Sequence, residues 1–394
     1  MLTIKEYFVD IHVHIGRSST GEEIKWATAN NLTFENIAYE ARYRKGINVI
    51  GVVDAISPHV IKDIEHLMDR GEITESKEGG MNYKNELTII LGAEIETREE
   101  GRGNAHSLVF FPFLNNVKMF SKEIEKHMKN INTCSSIAHL TAQELFNMAT
   151  FYGGVYIPAH VFTPYKSFYG NCTNSLHNIF NQESFNKISS IELGLSADTS
   201  MAGKLSELDG KSFTSDSDAH SLGKIGREYN VFLMEDLNFK EWLLALQNKD
   251  GRGIVANYGL NPRLGKYHRS YCLKCDSIIG GDPPKTKCPV NEKHRVITGV
   301  LDRLEIIKDR DFPIENKRPP YYYQVPLEFI HKLGPKSINK LIDNFGNEMN
   351  ILHNVPEEEL AKVVREDIAK NIILAREGKI GIKAGGGGIY GKIE

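Results

Sequence analysis

The chain has 394 residues, 41% of them hydrophobic and 25% charged, which is typical of a globular protein with two or three domains. Its odd count of five cysteines favours a reducing compartment, and no apolar run approaches the length of a membrane span. We therefore expect a cytoplasmic protein that needs neither disulfides nor a membrane.

The charge is distributed unevenly. Residues 1–254 hold 25 Lys and Arg against 33 Asp and Glu, a net −8, and ten of the 14 histidines. Residues 255–394 hold 23 against 18, a net +5. An acidic, His-rich part suits cations and a basic part suits phosphates, although plain compositional drift is the alternative.

Short apolar runs alternate with amphipathic stretches through the first part. The runs predict strands at Tyr7–Ile15, Ile47–Ala55, Leu87–Glu96, Ser107–Phe113, Gly154–Phe162, Ile188–Leu195 and Ser212–Asp216. The stretches between them predict helices at Thr33–Lys45, Pro58–Arg70, Ser121–Asn130, Ala142–Tyr152 and Thr173–Asn181. This alternation favours an α/β domain with mostly parallel strands, and about seven strands could close a barrel.

The first predicted strand ends in Asp10-Ile11-His12-Val13-His14. Alternation along a strand places Asp10, His12 and His14 on one face. Two imidazoles and a carboxylate that face one way provide half of a site for Zn, Mn or Fe. The alternative is a polar strand end at the surface.

Other strands carry polar residues at or next to their ends, where an α/β barrel holds its active site. These residues are Asp54, Glu94, His106, His160, Asp218 and His220. Each alone is more often structural, but the repetition predicts a centre for two metals that would hydrolyse a phosphoester. Arg17, Lys166 and Arg227 are candidate phosphate contacts, with a solvated charge as the alternative.

Beyond residue 255 the sequence changes character. Cys272-x2-Cys275, Cys288 and His294 have the spacing of a structural zinc site, for which His268 is an alternative fourth ligand. The basic and aromatic residues before them, including Lys266 and Tyr267, suit a nucleic-acid backbone.

Helical patterns return over residues 325–376. Leu333-Gly334-Pro335-Lys336 precedes one of them and is similar to a degenerate helix-hairpin-helix, with Lys336 a candidate DNA contact. The glycine-rich tail 385–391 either approaches a phosphate or is a disordered end.

The order of motifs over about residues 5–235 resembles the polymerase-and-histidinol-phosphatase (PHP) superfamily, whose members are distorted seven-stranded (β/α) barrels that hold two or three metals. The resemblance implies a set of ligands for Zn, Mn or Mg: His12, His14, Asp54, Glu94, His106, His160, Asp218 and His220. We predict that Asp10, Glu94 and Asp218 are the catalytic carboxylates. The sequence departs from the superfamily at the second of its motifs, where Asp54-Ala55 stands in place of the usual Asp-His. His59 either substitutes for the missing histidine or is a residue of a helix surface.

A PHP barrel followed by a zinc module, a helical region and a Gly-rich end resembles one group, endonuclease Q, over nearly the whole chain. Strings such as Phe162-Thr163-Pro164 and Gly265-Lys266-Tyr267-His268 support it. The resemblance implies three domains: a catalytic barrel (1–255), a zinc-binding module with one structural zinc (256–312) and a C-terminal helical DNA-binding domain (313–394).

The resemblance also implies an activity. Members of the group nick double-stranded DNA on the 5′ side of uracil, hypoxanthine, xanthine or an abasic site, and leave a 3′-hydroxyl and a 5′-phosphate. A lesion reader of this kind extrudes the nucleotide into a pocket. We expect the loop Thr163–Cys172 to form its wall, or alternatively to be ordinary loop packing, with four candidate residues: Tyr165, Phe168, Tyr169 and Asn171.

Two other functions remain open from the sequence. One is a PHP phosphatase that acts on a small phosphomonoester, and the other is a non-catalytic DNA-binding module with a degenerate barrel site. We expect a monomer. Archaeal relatives in the group work with a sliding clamp, but the sequence contains no clear clamp-binding peptide.

Overall fold

The computed structural model describes residues 3–134, 137–314, 318–383, 385 and 387–393. Ala384 and Gly386 of the glycine-rich tail lie outside the described residues. The strands, in chain order, are β1 (Lys5–Val13), β2 (Val49–Val52), β3 (Ile73–Glu75), β4 (Met81–Tyr83), β5 (Leu87–Arg98), β6 (Asn104–Phe111), β7 (Val155–Pro158), β8 (Ser190–Glu192), β9 (Ser212–Thr214), β10 (Tyr229–Met234), β11 (Gly253–Gly259), β12 (Tyr271–Cys272), β13 (Ser277–Ile278), β14 (Val296–Ile297), β15 (Tyr321–Tyr323), β16 (Ile382–Lys383) and β17 (Lys392–Ile393).

Several of these strands form the wall of a distorted PHP-type α/β barrel, the fold class that the sequence predicts. β1 runs parallel to β2 and β2 parallel to β5, and β5 continues through β6 to β7. β8 and β9 pair in a separate parallel sheet. A parallel bridge between Val13 and Ala219 returns the wall to β1.

The expectation of mostly parallel strands is wrong for one part of the wall. β6 runs antiparallel to both of its neighbours, β5 and β7. The connection Glu99–Gly103 is a tight loop, closed by a hydrogen bond from the Glu99 amide to the Gly103 carbonyl, and such a short link can only reverse the chain. As a result the N-terminal end of β6 lies beside the C-terminal end of β5, where the other polar strand ends meet.

The helices are α1 (Phe34–Tyr39), α2 (Pro58–Asp69), α3 (Leu114–Ile124), α4 (Ala142–Phe151), α5 (Gln182–Lys187), α6 (Thr199–Ala202), α7 (Phe239–Leu246), α8 (Val300–Ile307), α9 (Pro335–Phe345), α10 (Glu348–His353), α11 (Glu357–Val363) and α12 (Glu366–Arg376). α4 begins where predicted because Thr141 and Glu144 form a capping box. α3 begins seven residues before the predicted Ser121. The helix predicted at Thr173–Asn181 is wrong: that segment holds a single 3₁₀ turn, Leu176–Asn178.

The C-terminal part packs on the barrel as part of the same structure. β15 pairs in parallel with β11, and one buried apolar cluster runs from Val13 and Ile15 of the barrel to Ile372 of α12. The tail packs on the segment that follows β11, since the Gly385 amide donates to the Arg263 carbonyl. The domain boundaries at residues 255 and 312 stay a prediction.

No helix in the described part of the chain is long and apolar enough to cross a membrane.

Candidate metal centre and adjoining cavities

The predicted polar strand ends meet at one end of the barrel. Three overlapping sets of donor atoms, each within 4.8 Å of one another, form there: His12, His14 and Glu94; His14, Asp218 and His220; Glu94, His106 and His160. β1 supplies His12, and His14 directly follows the strand on the alternate position, with Val13 between them buried in the core. We call this arrangement the barrel centre.

The first set, together with Asp218 of the second set, has the spacing of a coordination shell. His12 Nε2 lies 3.6 Å from Glu94 Oε1 and 3.6 Å from Asp218 Oδ1. His14 Nε2 lies 3.6 Å from Glu94 Oε2 and 3.4 Å from Asp218 Oδ1. Donors about 2.1 Å from a shared ion would stand roughly this far apart in a tetrahedron. His12 Nε2 is also buried without a hydrogen-bond partner, as a nitrogen reserved for a ligand would be.

Glu94 belongs to both the first set and the third set, which adds His106 and His160. Its Oε1 lies 2.5 Å from His106 Nδ1 and 3.2 Å from His160 Nε2. His106 reaches Glu94 because β6 is antiparallel to β5. A carboxylate placed between two donor sets is able to bridge two ions.

Two of the ligand candidates have backbone conformations that non-glycine residues rarely adopt. His160 has φ +27° and Asp218 has φ +45°. Such conformations carry a cost of order 1–3 kcal/mol and concentrate at functional sites. Arg227 stabilises the backbone conformation of Asp218. Its Nε donates to the Ser217 carbonyl at 2.7 Å, and its guanidinium donates to the Asp218 carbonyl at 3.2 Å.

Carboxylates contact the second ring nitrogen, Nδ1, of both His12 and His14. Glu192 Oε1 lies 2.8 Å from His12 Nδ1, and Asp54 Oδ2 lies 2.9 Å from His14 Nδ1. Such outer carboxylates fix the ring orientation of metal-binding histidines. Burial alone would lower the pKa of His12, but the carboxylates of Glu192, Asp218 and Glu94 raise it to about 10. The same negative field favours a divalent cation.

Asp54 and Asp10 occupy places that differ from the predicted ones. Asp54 Oδ2 also accepts from the Ile15 amide, so Asp54 stands behind His14, outside the three donor sets of the described residues. Asp10 accepts from the amides of Ser217 and Gly226 and ties β1 to the loop that carries Asp218. The roles of Asp54 as ligand and Asp10 as catalyst stay predictions that these contacts do not support.

A lysine that the sequence analysis missed enters the barrel centre. Lys25 Nζ donates to Glu94 Oε2 at 2.8 Å. Burial opposes its charge, but the carboxylates of Glu94 and Asp54 outweigh this effect and raise its pKa. One oxygen of Glu94 therefore has a permanent cationic partner. No motif marks Lys25 in the sequence, because it lies in the irregular connection after β1.

A cavity of about 240 Å³ opens from the barrel centre. We call it the tyrosine cavity, and its lining residues are His160, Thr163, Tyr165, Glu192, Gly194, Leu195, Ser196, Asp218, Lys266, Tyr267 and Tyr390. Of the predicted pocket residues it contains Tyr165, and it also contains Lys266 and Tyr267, which were predicted to contact a nucleic-acid backbone. Tyr390, from the glycine-rich tail, was missed: its hydroxyl accepts from Arg227 at 3.0 Å, and Lys266 Nζ lies 4.6 Å from its ring centroid.

Three predicted pocket residues lie elsewhere. Phe168 and Tyr169 are fully buried in the core, where Tyr169 stacks on Phe162 and donates to Glu207. Asn171 donates to the Asn104 carbonyl and is absent from the cavity lining. The prediction that these residues line the pocket is wrong, because the loop folds into a π-helical turn, Phe168–Cys172, that turns the rings of Phe168 and Tyr169 inward. Lys336 is exposed in α9, far along the chain from the barrel.

The predicted cysteine site forms a second, separate donor group. Cys272, Cys275, Cys288 and His294 lie together. The Cys275–Cys288 sulfurs are 3.6 Å apart, and His294 Nδ1 lies 3.3 Å from Cys275 Sγ and 3.4 Å from Cys288 Sγ. These separations approach the edges of a tetrahedron around a metal with bonds of about 2.0–2.3 Å. His294 thus completes the group, and His268 lies outside it.

The fold and the donor groups define a PHP-type barrel with a candidate metal centre and an appended Cys₃His module. The model of the MJ0043 C-terminal domain matches residues 336–379. A relative from Bacillus subtilis, the uncharacterized protein YqxK, is 42% identical over 99% of this chain and 100% of its own.

Among solved structures, the lesion-specific endonuclease PfuEndoQ from Pyrococcus furiosus is similar with a TM-score of 0.82 and 32% identity, over 99% of this chain and 95% of that one. Endonuclease Q in complex with a 27-mer duplex substrate, with an abasic lesion at the active site, is similar with a TM-score of 0.83 and 31% identity, over 99% and 96%. The chain belongs to the endonuclease Q family.

Proposed function

We propose that this chain is a metal-dependent DNA repair endonuclease. It nicks the phosphodiester on the 5′ side of deaminated bases and abasic sites in duplex DNA and leaves a 3′-hydroxyl and a 5′-phosphate. The observation that carries the proposal is the barrel centre, with its orphaned His12 Nε2 and bridging Glu94, directly beside the tyrosine cavity. A lesion-specific endonuclease with the same fold supports the substrate class.

The donor sets support a proposal for which residues hold the ions. His12, His14, Glu94 and Asp218 would hold one, and Glu94, His106 and His160 a second. Bound divalent ions supply charge stabilisation at the phosphodiester and an activated water. We propose two ions, not three, because both partners of His220, His14 and Asp218, are already assigned to the first ion, and Lys25 already supplies a cation to Glu94.

The protein groups around the barrel centre would position both its ligands and the DNA. Glu192 and Asp54 keep the rings of His12 and His14 in place, and Arg227 holds the backbone of Asp218. The tyrosine cavity would receive the extruded lesion nucleotide, with Tyr165 and Tyr267, whose rings are 5.7 Å apart, as its aromatic wall. Deaminated bases pair more weakly and abasic sites do not pair, so their extrusion costs less.

The Cys₃His group supports a structural zinc, since four protein donors leave no open position for a substrate. The helices matched by the MJ0043 C-terminal domain, with Lys336 at their start, are proposed as an additional DNA contact. We also propose that the chain acts as a monomer in the cytoplasm. A sliding-clamp partner stays a hypothesis that a pull-down with the clamp would test.

A nicking assay tests the proposal. Duplexes with one deoxyuridine, deoxyinosine or abasic site are incubated with enzyme and Mg²⁺, Mn²⁺ or Zn²⁺. We expect one nick 5′ of the lesion, reduced on the order of 10³-fold or more in Asp218→Asn, because Asp218 faces both β1 histidines. Asp69→Asn, at an exposed position that ends α2, is the matched control. Phosphate release from a small phosphomonoester without nicking would overturn the proposal.

A further inference from the structure

A second cavity borders the barrel centre. It has a volume of about 230 Å³, and we call it the tryptophan cavity; its lining residues are Lys25, Trp26, Glu94, Glu96, His106, Cys134 and Lys166. It reaches the centre through Glu94 and His106, whereas the tyrosine cavity reaches it through His160 and Asp218. The two linings share no residue. Two separate cavities therefore adjoin the barrel centre.

Trp26 gives this cavity a large aromatic surface. Its side chain is 77% exposed, whereas the other tryptophan of the chain, Trp242, is fully buried. An exposed indole is costly to keep in water and is the best stacking surface a protein offers to a nucleobase. Trp26 therefore presents an exposed stacking surface beside the candidate ligands Glu94 and His106.

The segment that carries Trp26 is attached to the barrel centre on both sides. Before it, Lys25 donates to Glu94. After it, Ala27 has the left-handed φ of +62°, and the Ala29 amide donates to the His220 carbonyl at 2.9 Å. A residue held between two such attachments keeps a fixed distance from the reacting bond, as a substrate-positioning residue must.

The charges in the cavity permit a nucleic-acid backbone. Glu94 is paired with Lys25, and Glu96 is paired with Lys166 at 2.8 Å. The two carboxylates of the lining are therefore matched by two ammonium groups. Lys166 is half-exposed, so its charge also reaches the mouth of the cavity and offsets the repulsion of a phosphate.

We propose that the tryptophan cavity binds the nucleotide on the 5′ side of the cleaved bond, with the indole of Trp26 stacked on its base. This inference rests on the proposed function, which assigns the lesion nucleotide, on the 3′ side, to the tyrosine cavity. Stacking does not depend on the identity of the base, so Trp26 fixes the position of the strand without reading its sequence.

Intrinsic fluorescence tests the contact directly, because Trp26 is the exposed tryptophan and Trp242 supplies a buried baseline. Full-length Asp218→Asn protein is titrated with a duplex that carries a stable abasic analogue, and binding is followed independently by anisotropy of labelled DNA. We expect the duplex to quench most of the Trp26 emission. A duplex that lacks only the nucleotide 5′ of the lesion should bind with little quenching, and Trp26→Phe should bind with none.

Equal quenching by the complete and the gapped duplex, or no quenching by either, would overturn the inference. If anisotropy still showed DNA binding in that case, the proposed function would stand. No anisotropy change with either duplex would instead contradict the proposed function. In the active chain, Trp26→Ala should raise KM for DNA about ten-fold with little change in kcat, and Trp26→Phe should restore most of it. Phe151→Ala is the control and should change neither KM nor kcat. Phe151 is 81% exposed at the end of α4, before β7, and so lies at the opposite end of the barrel from His160. A change in kcat alone would argue against substrate positioning.

Discussion

The four donors of the Cys₃His group come from residues 272–294, whereas the donors of the barrel centre come from residues 12–220. The first group is closed, because its four protein donors would occupy all four positions around a tetrahedral metal ion. The second is open, with two adjoining cavities and buried carboxylates behind its histidines. The difference teaches that a local ligand set stabilises a short segment, while a set assembled by strands of a barrel can leave room for a substrate.

The largest expected effect breaks the local group. Cys275→Ser should remove one zinc per chain and unfold residues 272–297 locally, because small β-strands of two residues cannot replace the ~10 kcal/mol or more that zinc binding supplies. Metal analysis and limited proteolysis measure both changes. The barrel centre should keep its ions.

Cys172→Ser, which alters a buried thiol outside the group, is the matched control and should retain the zinc. Loss of metal from the barrel centre in Cys275→Ser would show that the two groups are not independent.

A smaller effect is expected at Glu228, a buried acid in neither group. Its oxygens accept from Ser215 Oγ at 2.6 Å and from the Leu260 amide at 2.8 Å, and burial raises its pKa from 4.5 to about 8. The folded state therefore retains a proton that the unfolded state loses above pH 4.5, so this group lowers stability as pH rises from about 4.5 to 8.

Glu228→Gln can retain both contacts without a titrating proton, because its Oε1 accepts from the Leu260 amide while its Nε2 donates to Ser215 Oγ, whose hydroxyl can turn from donor to acceptor. It should be more stable than the parent chain at pH 8.5, by on the order of 4 kcal/mol at most, and equally stable near pH 4.5. Chemical denaturation at both pH values measures the difference. An equal difference at the two pH values would contradict the assigned protonation.

The smallest expected effect sharpens the description of the barrel centre. Glu192→Gln should weaken metal binding there 10–100-fold, because the amide cannot accept from both His12 Nδ1 and the His160 amide as the carboxylate does. Competition with a chelating dye measures the affinity. Glu207→Gln, which replaces a carboxylate bound to Tyr169 and Ser175 away from the centre, should leave it unchanged. Equal affinities in the two variants would assign Glu192 a purely structural role.

Sequence reasoning succeeded where a pattern is short or periodic. The spacing of Cys272, Cys275, Cys288 and His294 predicts a group that the structure brings together, because a chain of this length has few ways to separate them. The alternation of His12 and His14 predicts their common face for the same local reason. The barrel strands follow from apolar runs whose length fits buried strands.

Sequence reasoning failed where the deciding contact comes from far along the chain. Lys25 and Trp26 lie in an irregular connection, and only the approach of Glu94, 69 residues later, gives Lys25 its place. Phe168 and Tyr169 look like pocket residues in the sequence, but the π-helical turn buries them. Tyr390 reaches the tyrosine cavity because the tail packs on Arg263 and Leu264.

By itself the sequence determined the barrel class, the histidines, Glu94 and Asp218 that meet as candidate ligands in the barrel centre, and the Cys₃His group. Each of these depends on the types of residue at fixed local spacings, which strand geometry converts directly into shared faces. Tertiary structure alone decided that β6 runs antiparallel, that Asp54 stands behind His14, and that Lys25 pairs with Glu94. These features depend on which distant segments meet, and packing of the whole chain sets that choice.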